Sequence, residues 1–197
     1  MAESSPRSAG RRREILMAAL DCFNEHGIQG ATIEMIREKS GASVGSLYHH
    51  FGNKERIALA LYTEGMRDYH QSLSEALAEA TDTEQGIRQI VHTFVNWIAN
   101  HPEWARFVFY SRTQVAAIDL DAEIHRDNQN YWKAIREWFS PRVKKREIKI
   151  LPMECYSSVI MGPTQDYARR WLTGRASTDI REFADVFAQA AWDALKP

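Results

Sequence analysis

The chain has 197 residues, 44% hydrophobic and 26% charged, which fits one large helical body or a small domain joined to a larger one. Its formal net charge of −1 excludes a global attraction to nucleic acid, so any DNA-binding surface has to be local. Cys22 and Cys155 lie far apart in apolar runs without CxxC pairing, which predicts buried reduced thiols rather than a disulfide or a metal site. No apolar stretch follows the N-terminal charges and no segment reaches the length of a membrane span, so no signal, no membrane partner and a cytoplasmic location are expected.

Residues 1–10 are small, polar and Pro/Gly-containing, and read as a disordered arm. Arg11, Arg12 and Arg13 then lead into a helix whose apolar face is Ile15, Leu16, Ala19, Leu20, Cys22 and Phe23, with Gly27 as its C-terminal stop. Thr32 caps a second helix with Ile33 and Ile36 inward, ending at Ser40-Gly41. A short third helix opens at Ser43 and closes at Phe51-Gly52, with Leu47 and Phe51 one turn apart on its inner face. Asn53 caps a long fourth helix through Ile57, Ala60, Leu61, Leu73 and Leu77 to about Ala80.

Further helices are predicted at Glu84–Asn100, with Ile87, Ile90, Val91, Phe94 and Ile98 on one stripe, and from Glu103 to about Ala117, after Pro102. Another starts at Asp119 or Asp121 and ends near Phe139 before Pro141. The last two are Pro152–Thr173, kinked at Gly162-Pro163, and the helix capped by Asp179 that runs to Leu195. No strand-like alternation occurs, and the fold class is all-α.

Helices two and three with the Ser40–Ser43 turn have helix-turn-helix spacing. The second helix of such a unit enters the major groove, so its inner face must pack and its N-terminal outer face must stay free. Leu47 and Phe51 provide the packing. Val44, Gly45, Ser46, Tyr48, His49 and His50 remain outside; Gly45 permits close backbone approach, and Ser46, Tyr48 and His50 offer donors. Lys54 with the amides of the fourth helix forms a phosphate seat.

The stretches ILMAALDCFNEHG (residues 15–27), Ala31-Thr32-Ile33 and SGASVGSLYHHFGNK (residues 40–54) together resemble the DNA-binding domain of TetR-family regulators, with Gly41, Ser43, Gly45, Leu47, Tyr48, Phe51 and Lys54 in register. The match covers about residues 11 to 61; DYARRWL (residues 166–172) is similar to the penultimate helix of many members. The resemblance implies about nine helices: residues 11–58 a three-helix DNA-binding domain, and 59–197 a domain for ligand binding and dimerisation. It implies a homodimer on a palindromic double-stranded DNA operator, a repressor released by a small-molecule effector, with no cofactor. By the family pattern Thr32, Ser43, Ser46, Tyr48, His50 and Lys54 contact phosphates, and Val44, Gly45 and His49 lie nearest the bases. Glu34 departs from that pattern: it stands where many members carry a basic or polar base reader, and either accepts from a cytosine amine or points away from the phosphates.

The basic arm with Arg7, Arg11, Arg12 and Arg13 is either a phosphate or minor-groove contact or a solubilising tail. His49-His50 lacks a partner at helical spacing for metal and reads as groove-facing. The run Arg142–Lys149 reads as a solvated connector, and Asp119, Asp121 and Glu123 as complements to a helix dipole. The aromatic residues between 94 and 171 are core or pocket. Trp97, Trp104, Phe107, Tyr110, Asn128, Tyr131, Trp138 and Tyr156 are the candidate ligand residues, with an apolar or aromatic ligand favoured; Asn128 is a polar group in line with Ile124, Tyr131, Ile135 and Trp138. Tyr167, Trp171, Ile180, Phe183, Phe187, Ala190 and Ala191 form an apolar surface read as half of an intermolecular four-helix bundle. An enzyme would need a nucleophile–base, HExxH, GxSxG or phosphate-loop pattern, none of which the sequence contains. A helical scaffold would share the dimer helices but not the pattern at 43–54.

Overall fold

The computed structural model describes the backbone of residues 6–118 and 122–197, and their side chains except at residues 6, 7, 118, 122–128 and 130. Among the described residues it is all helix: α1 Pro6–Gly30, α2 Ile33–Ser40, α3 Val44–Phe51, α4 Lys54–Glu79, α5 Thr83–Asn100, α6 Pro102–Ile118, α7 Ala122–Lys144, α8 Met153–Leu172 and α9 Ala184–Leu195. A 3-10 turn, Ile180–Phe183, precedes α9. None of the described helices is long and apolar enough to cross a membrane.

Several expected boundaries hold, each with a physical cause. Gly27 adopts φ 70°, ψ 166° and breaks the run of α1, leaving one loose turn to Gly30. Asp82 caps α5 by accepting from the Gln85 amide at 2.8 Å. Two expectations fail. Residues 6–10 are the opening of α1 and not an arm, while residues 1–5 lie outside the described residues. Pro141 does not end α7, which continues to Lys144. Arg142 folds back one turn, sets its guanidinium carbon 3.8 Å from the centroid of the Trp138 ring and donates Nη1 to Trp138 O at 2.7 Å, so the last turn is held although Pro141 lacks an N–H.

The chain forms two compact units, Met1–Met66 with Glu103–Leu120, and Arg67–Pro102 with Asp121–Pro197. They do not follow the expected division at residues 58/59: α4 runs from the first unit into the second, and α6 returns to the first. In the first unit Ile15, Leu16, Leu20, Phe23, Ile36, Leu47, Phe51, Ile57, Leu61, Phe107 and Val115 share one core. Each such side chain contributes about 1.5–3 kcal/mol on leaving water. Asn24 Nδ2 ties α1 to the start of α6 by donating to Glu103 O at 3.0 Å.

In the second unit α5 packs against both α8 and α9, burying Ile87, Val91, Val95 and Ile98 completely. Arg181 Nη2 donates to Ala99 O at 3.3 Å, giving the last turn of α5 a donor it would otherwise lack. The Trp138 ring fills the space over Gly86, where an added Cβ would stand 2.1 Å from Cζ2. Gly86→Ala is therefore expected to cost about 1–3 kcal/mol by overpacking, although alanine is the better helix former. Urea unfolding checks this; a variant as stable as the parent would mean that Trp138 yields freely.

Candidate nucleic-acid interface

The helix-turn-helix is built by its caps. Thr32 Oγ1 accepts from the Met35 amide at 3.2 Å, and Gly41 ends α2 at φ 63°, where a residue without Cβ is unstrained. Ser43 Oγ then accepts from the Ser46 amide at 3.1 Å and starts α3. Gly52, at φ 82°, closes it with its N–H on Tyr48 O, and Asn53 Oδ1 accepts from the Arg56 amide at 2.8 Å to start α4.

Packing then sets which face is free. Leu47 is 1% and Phe51 7% exposed, both in the core of the first unit. Ser43, Val44, Gly45, Tyr48 and His49 are exposed, and Ser46 and His50 are half-buried. Val44 and Tyr48 are large exposed hydrophobics, at 43% and 54%, on a helix that needs neither for its own packing. Burial, then the neighbouring His49, Arg12 and Arg11, holds His50 below the ordinary imidazole pKa.

The structure gives four of the charged candidates partners within the chain. Lys54 Nζ donates to Ala31 O at 2.7 Å and Gln29 O at 3.2 Å, so it ties the start of α4 to the chain just before α2. An ammonium has three donors, which leaves one beyond these two. Glu34 accepts from Arg37 Nε at 2.7 Å and pairs with its Nη2 at 2.6 Å; its side chain is 59% exposed and its charge is offset along α2. Arg12 of the expected arm pairs with Glu64 on α4 and stacks 5.3 Å from the Phe51 ring centroid. It thereby holds the C-terminal end of α3, a role that no sequence signal indicated. Arg11 pairs with Glu14 at 2.8 Å; Arg7 lies in the first turn of α1, and its side chain is outside the described ones.

The candidate ligand residues are divided between the two units. Trp104 and Phe107 belong to the first unit, Phe107 fully buried and stacked on Phe23 at 5.8 Å, and Trp104 lying over Gly65. Tyr110, also in the first unit, is 52% exposed. The Asn128 side chain lies outside the described residues. In the second unit Trp97 and Tyr131 enter an aromatic group completed by Tyr69, His70 and Phe94: Tyr69 lies 5.8 Å from Trp97 and 5.9 Å from Phe94, and His70 stacks on Tyr131 at 3.6 Å. Trp97 Nε1 donates to Asp68 Oδ2 at 2.7 Å. Burial raises both phenols, Tyr69 well above the ordinary range and Tyr131 to about 12. Asp68, Tyr69 and His70 are consecutive on α4 and were not among the candidates; a polar trio inside a long helix has no periodic signature. Tyr156 is structural: its hydroxyl donates to Lys149 O at 2.8 Å and accepts from the Leu151 amide at 3.1 Å.

The candidate dimer face is corrected at two positions. Ile180 is completely buried and Ala191 is 3% exposed within the chain's own core, because α9 packs on α5 and α8. Tyr167, Trp171, Phe183 and Phe187 stay half-buried and Ala190 exposed, with Val186 beside them at 61%. Tyr167 lies 5.2 Å from Phe183 and 5.8 Å from Phe187. The run from Arg142 to Lys149 is partly packed, with Ile148 1% exposed and the Lys149 amide on Leu195 O at 2.7 Å.

Comparison with known proteins agrees with this geometry. The family profile described as "Bacterial regulatory proteins, tetR family" matches residues 15–61. The HTH-type transcriptional repressor AcnR of Corynebacterium glutamicum is 45% identical over 177 residues, 89% of this chain and 89% of its own. The HTH-type transcriptional activator FasR of Mycolicibacterium smegmatis is 23% identical over 94% of this chain and 83% of its own. Among solved structures, a TetR family transcription regulator from Marinobacter aquaeolei superposes with a TM-score of 0.82 at 20% identity, covering 98% of this chain and 99% of the other. The fatty acid degradation regulator FadR of Bacillus halodurans gives 0.79 at 20% identity, with 96% of each covered. An exposed, doubly capped α3 in the matched segment and a relative alike over nearly the whole length lead to one conclusion: the chain belongs to the tetR family of bacterial regulatory proteins and is a DNA-binding transcription regulator, not an enzyme.

Proposed function

We propose that the protein is a repressor that binds a palindromic operator as a homodimer and leaves it when a small molecule enters the second unit. The free outer face of α3, with Val44, Gly45, Tyr48 and His49 exposed above a buried Leu47 and Phe51, is the observation that carries this reading. Ser43, Ser46, Tyr48, His50, Thr32 and the remaining donor of Lys54 are assigned to phosphates, and Val44, Gly45 and His49 to base edges. With Glu34 held by Arg37, we assign it no base contact. The relative named as a repressor, AcnR, matches at 45% identity, against 23% for the one named as an activator, which favours repression.

The dimer is assigned to Tyr167, Trp171, Phe183, Phe187 and Ala190, with Val186, whose exposed apolar surface in one chain is what a two-helix contribution to an intermolecular bundle requires. A two-fold operator needs recognition helices about 34–36 Å apart, and α4, which begins at Lys54 and continues into the second unit, is the element through which an effector would alter that spacing. The aromatic group of Tyr69, Phe94, Trp97 and Tyr131 suits an effector with an apolar or aromatic body.

Selection of bound sequences from random duplex DNA tests the reading: a palindrome with half-sites about one helical turn apart supports it, and unselective binding lost at modest salt overturns it. A pH dependence follows from His50. A phosphate neighbour raises a histidine pKa that the free protein holds low, so operator affinity is expected to rise as pH falls through and below the ordinary imidazole range. The slope should vanish in His50→Gln; binding titrations at fixed ionic strength between about pH 5.5 and 8 measure it.

A further inference from the structure

Trp138 and Arg142 stand one turn apart on α7 and form a closed pair, guanidinium over indole, with Arg142 Nη1 already on Trp138 O. Two more donors of this same pair, the indole Nε1 and Arg142 Nε, are buried and have no hydrogen-bond partner. A buried donor without an acceptor costs about 1–3 kcal/mol, more on a charged group, and here two occur together. Neither can satisfy the other, because both only donate. The indole is not free to turn toward an acceptor, since its six-membered ring is seated against α5 at Gly86.

Among the described residues, two carboxylates close to the pair in sequence are engaged elsewhere. Glu147 accepts from the Thr83 hydroxyl and faces Lys145 Nζ at 3.8 Å, and Glu137 faces Lys133 Nζ at 3.9 Å. With Nη1 anchored on Trp138 O, the guanidinium Nε–H is left unmet beside the indole N–H, and a carboxylate has two acceptor oxygens with which to meet both.

We propose that this pair is an acid-recognition site: an organic carboxylate accepts hydrogen bonds from Arg142 Nε and Trp138 Nε1, and the effector is an acid with an apolar body. This rests on the reading of the protein as effector-regulated and gives the effector its chemical class. Recognition by a planar cation and an indole N–H discriminates against neutral isosteres, because an amide brings its own donors against these two.

The test uses the full-length protein and three probes, benzoate, phenylacetate and octanoate, each beside its amide, in calorimetric titration at pH 7.5. At least one acid is expected to bind, with its amide at least about tenfold weaker, and Trp138→Phe and Arg142→Lys are each expected to weaken that acid about ten- to a hundredfold, as the loss of a charge-assisted hydrogen bond does. The Trp138 indole proton, followed by nitrogen-15 correlation spectra of the unaltered protein, is expected to move downfield with the acid; this readout survives if a variant fails to fold. Absence of binding by all three acids, equal binding of acid and amide, or an unmoved indole resonance overturns the proposal. Release of the selected operator is measured in parallel. Operator binding without acid binding removes this site and leaves the regulator reading standing, whereas acid binding without operator release removes the effector-controlled repressor and leaves the site.

Discussion

Phe107→Ala is expected to destabilise the helix-turn-helix unit by about 3–5 kcal/mol, the range for truncating a fully buried phenylalanine. The residue lies on α6, which by sequence order belongs with the C-terminal helices, yet it is 1% exposed and stacked on Phe23 of α1 with an interplanar angle of 23°. Its loss opens a cavity beneath α1 in the same core that holds Leu47 and Phe51. Denaturant unfolding gives the magnitude, and hydrogen exchange gives the place: amides of α1 to α3 should lose protection before those of α5, α8 and α9. Loosening confined to the second unit would place Phe107 in a ligand chamber instead. Effector affinity measured well below the unfolding midpoint should be unchanged.

Leu47→Ala and Tyr48→Ala should part company in a way that neighbouring residues seldom do. Leu47, at 1% exposure, fixes the inner face of α3, and its truncation is expected to cost about 2–5 kcal/mol with operator binding lost in consequence. Tyr48, at 54% exposure, should leave the unfolding midpoint within about 0.5 kcal/mol of the parent. It should nonetheless weaken operator binding, as removal of a phosphate donor and an apolar contact does. Paired unfolding curves and gel shifts decide it; a Tyr48→Ala variant with undiminished operator affinity would mean that this face of α3 is not the one that meets DNA.

Much of the first unit was legible because its signals are local. Thr32, Gly41, Ser43, Gly52 and Asn53 each announce a helix boundary through one hydrogen bond or one left-handed backbone angle, and all appear where expected. The inner and outer faces of α3 follow from a period of 3.6 residues. What escaped was non-local. Periodicity places Phe107 and Trp104 on an apolar face without saying against which unit, and the return of α6 to the first unit packs both against its core. Ile180 and Ala191 carried the right apolar character but faced the chain's own α5 and α8. Lys54 and Arg12 looked like free charges because the carbonyls and the carboxylate that engage them lie 23 to 25 and 52 residues away, respectively. The orphaned donors of Trp138 and Arg142 are the extreme case: an unmet hydrogen bond leaves no mark on a sequence.

The separation of duties on α3 has a consequence for how such a regulator acquires new targets. Everything that orients the helix acts from within or from its ends: Leu47 and Phe51 beneath, Ser43 and Gly52 at its ends, Arg12 against Phe51. Val44, Gly45, Tyr48 and His49 bear none of that weight. Substitutions there change what is read while the reader stays folded, so operator preference can drift between gene duplicates, or be rewritten at the bench, without the compensating mutations that retargeting a buried surface demands.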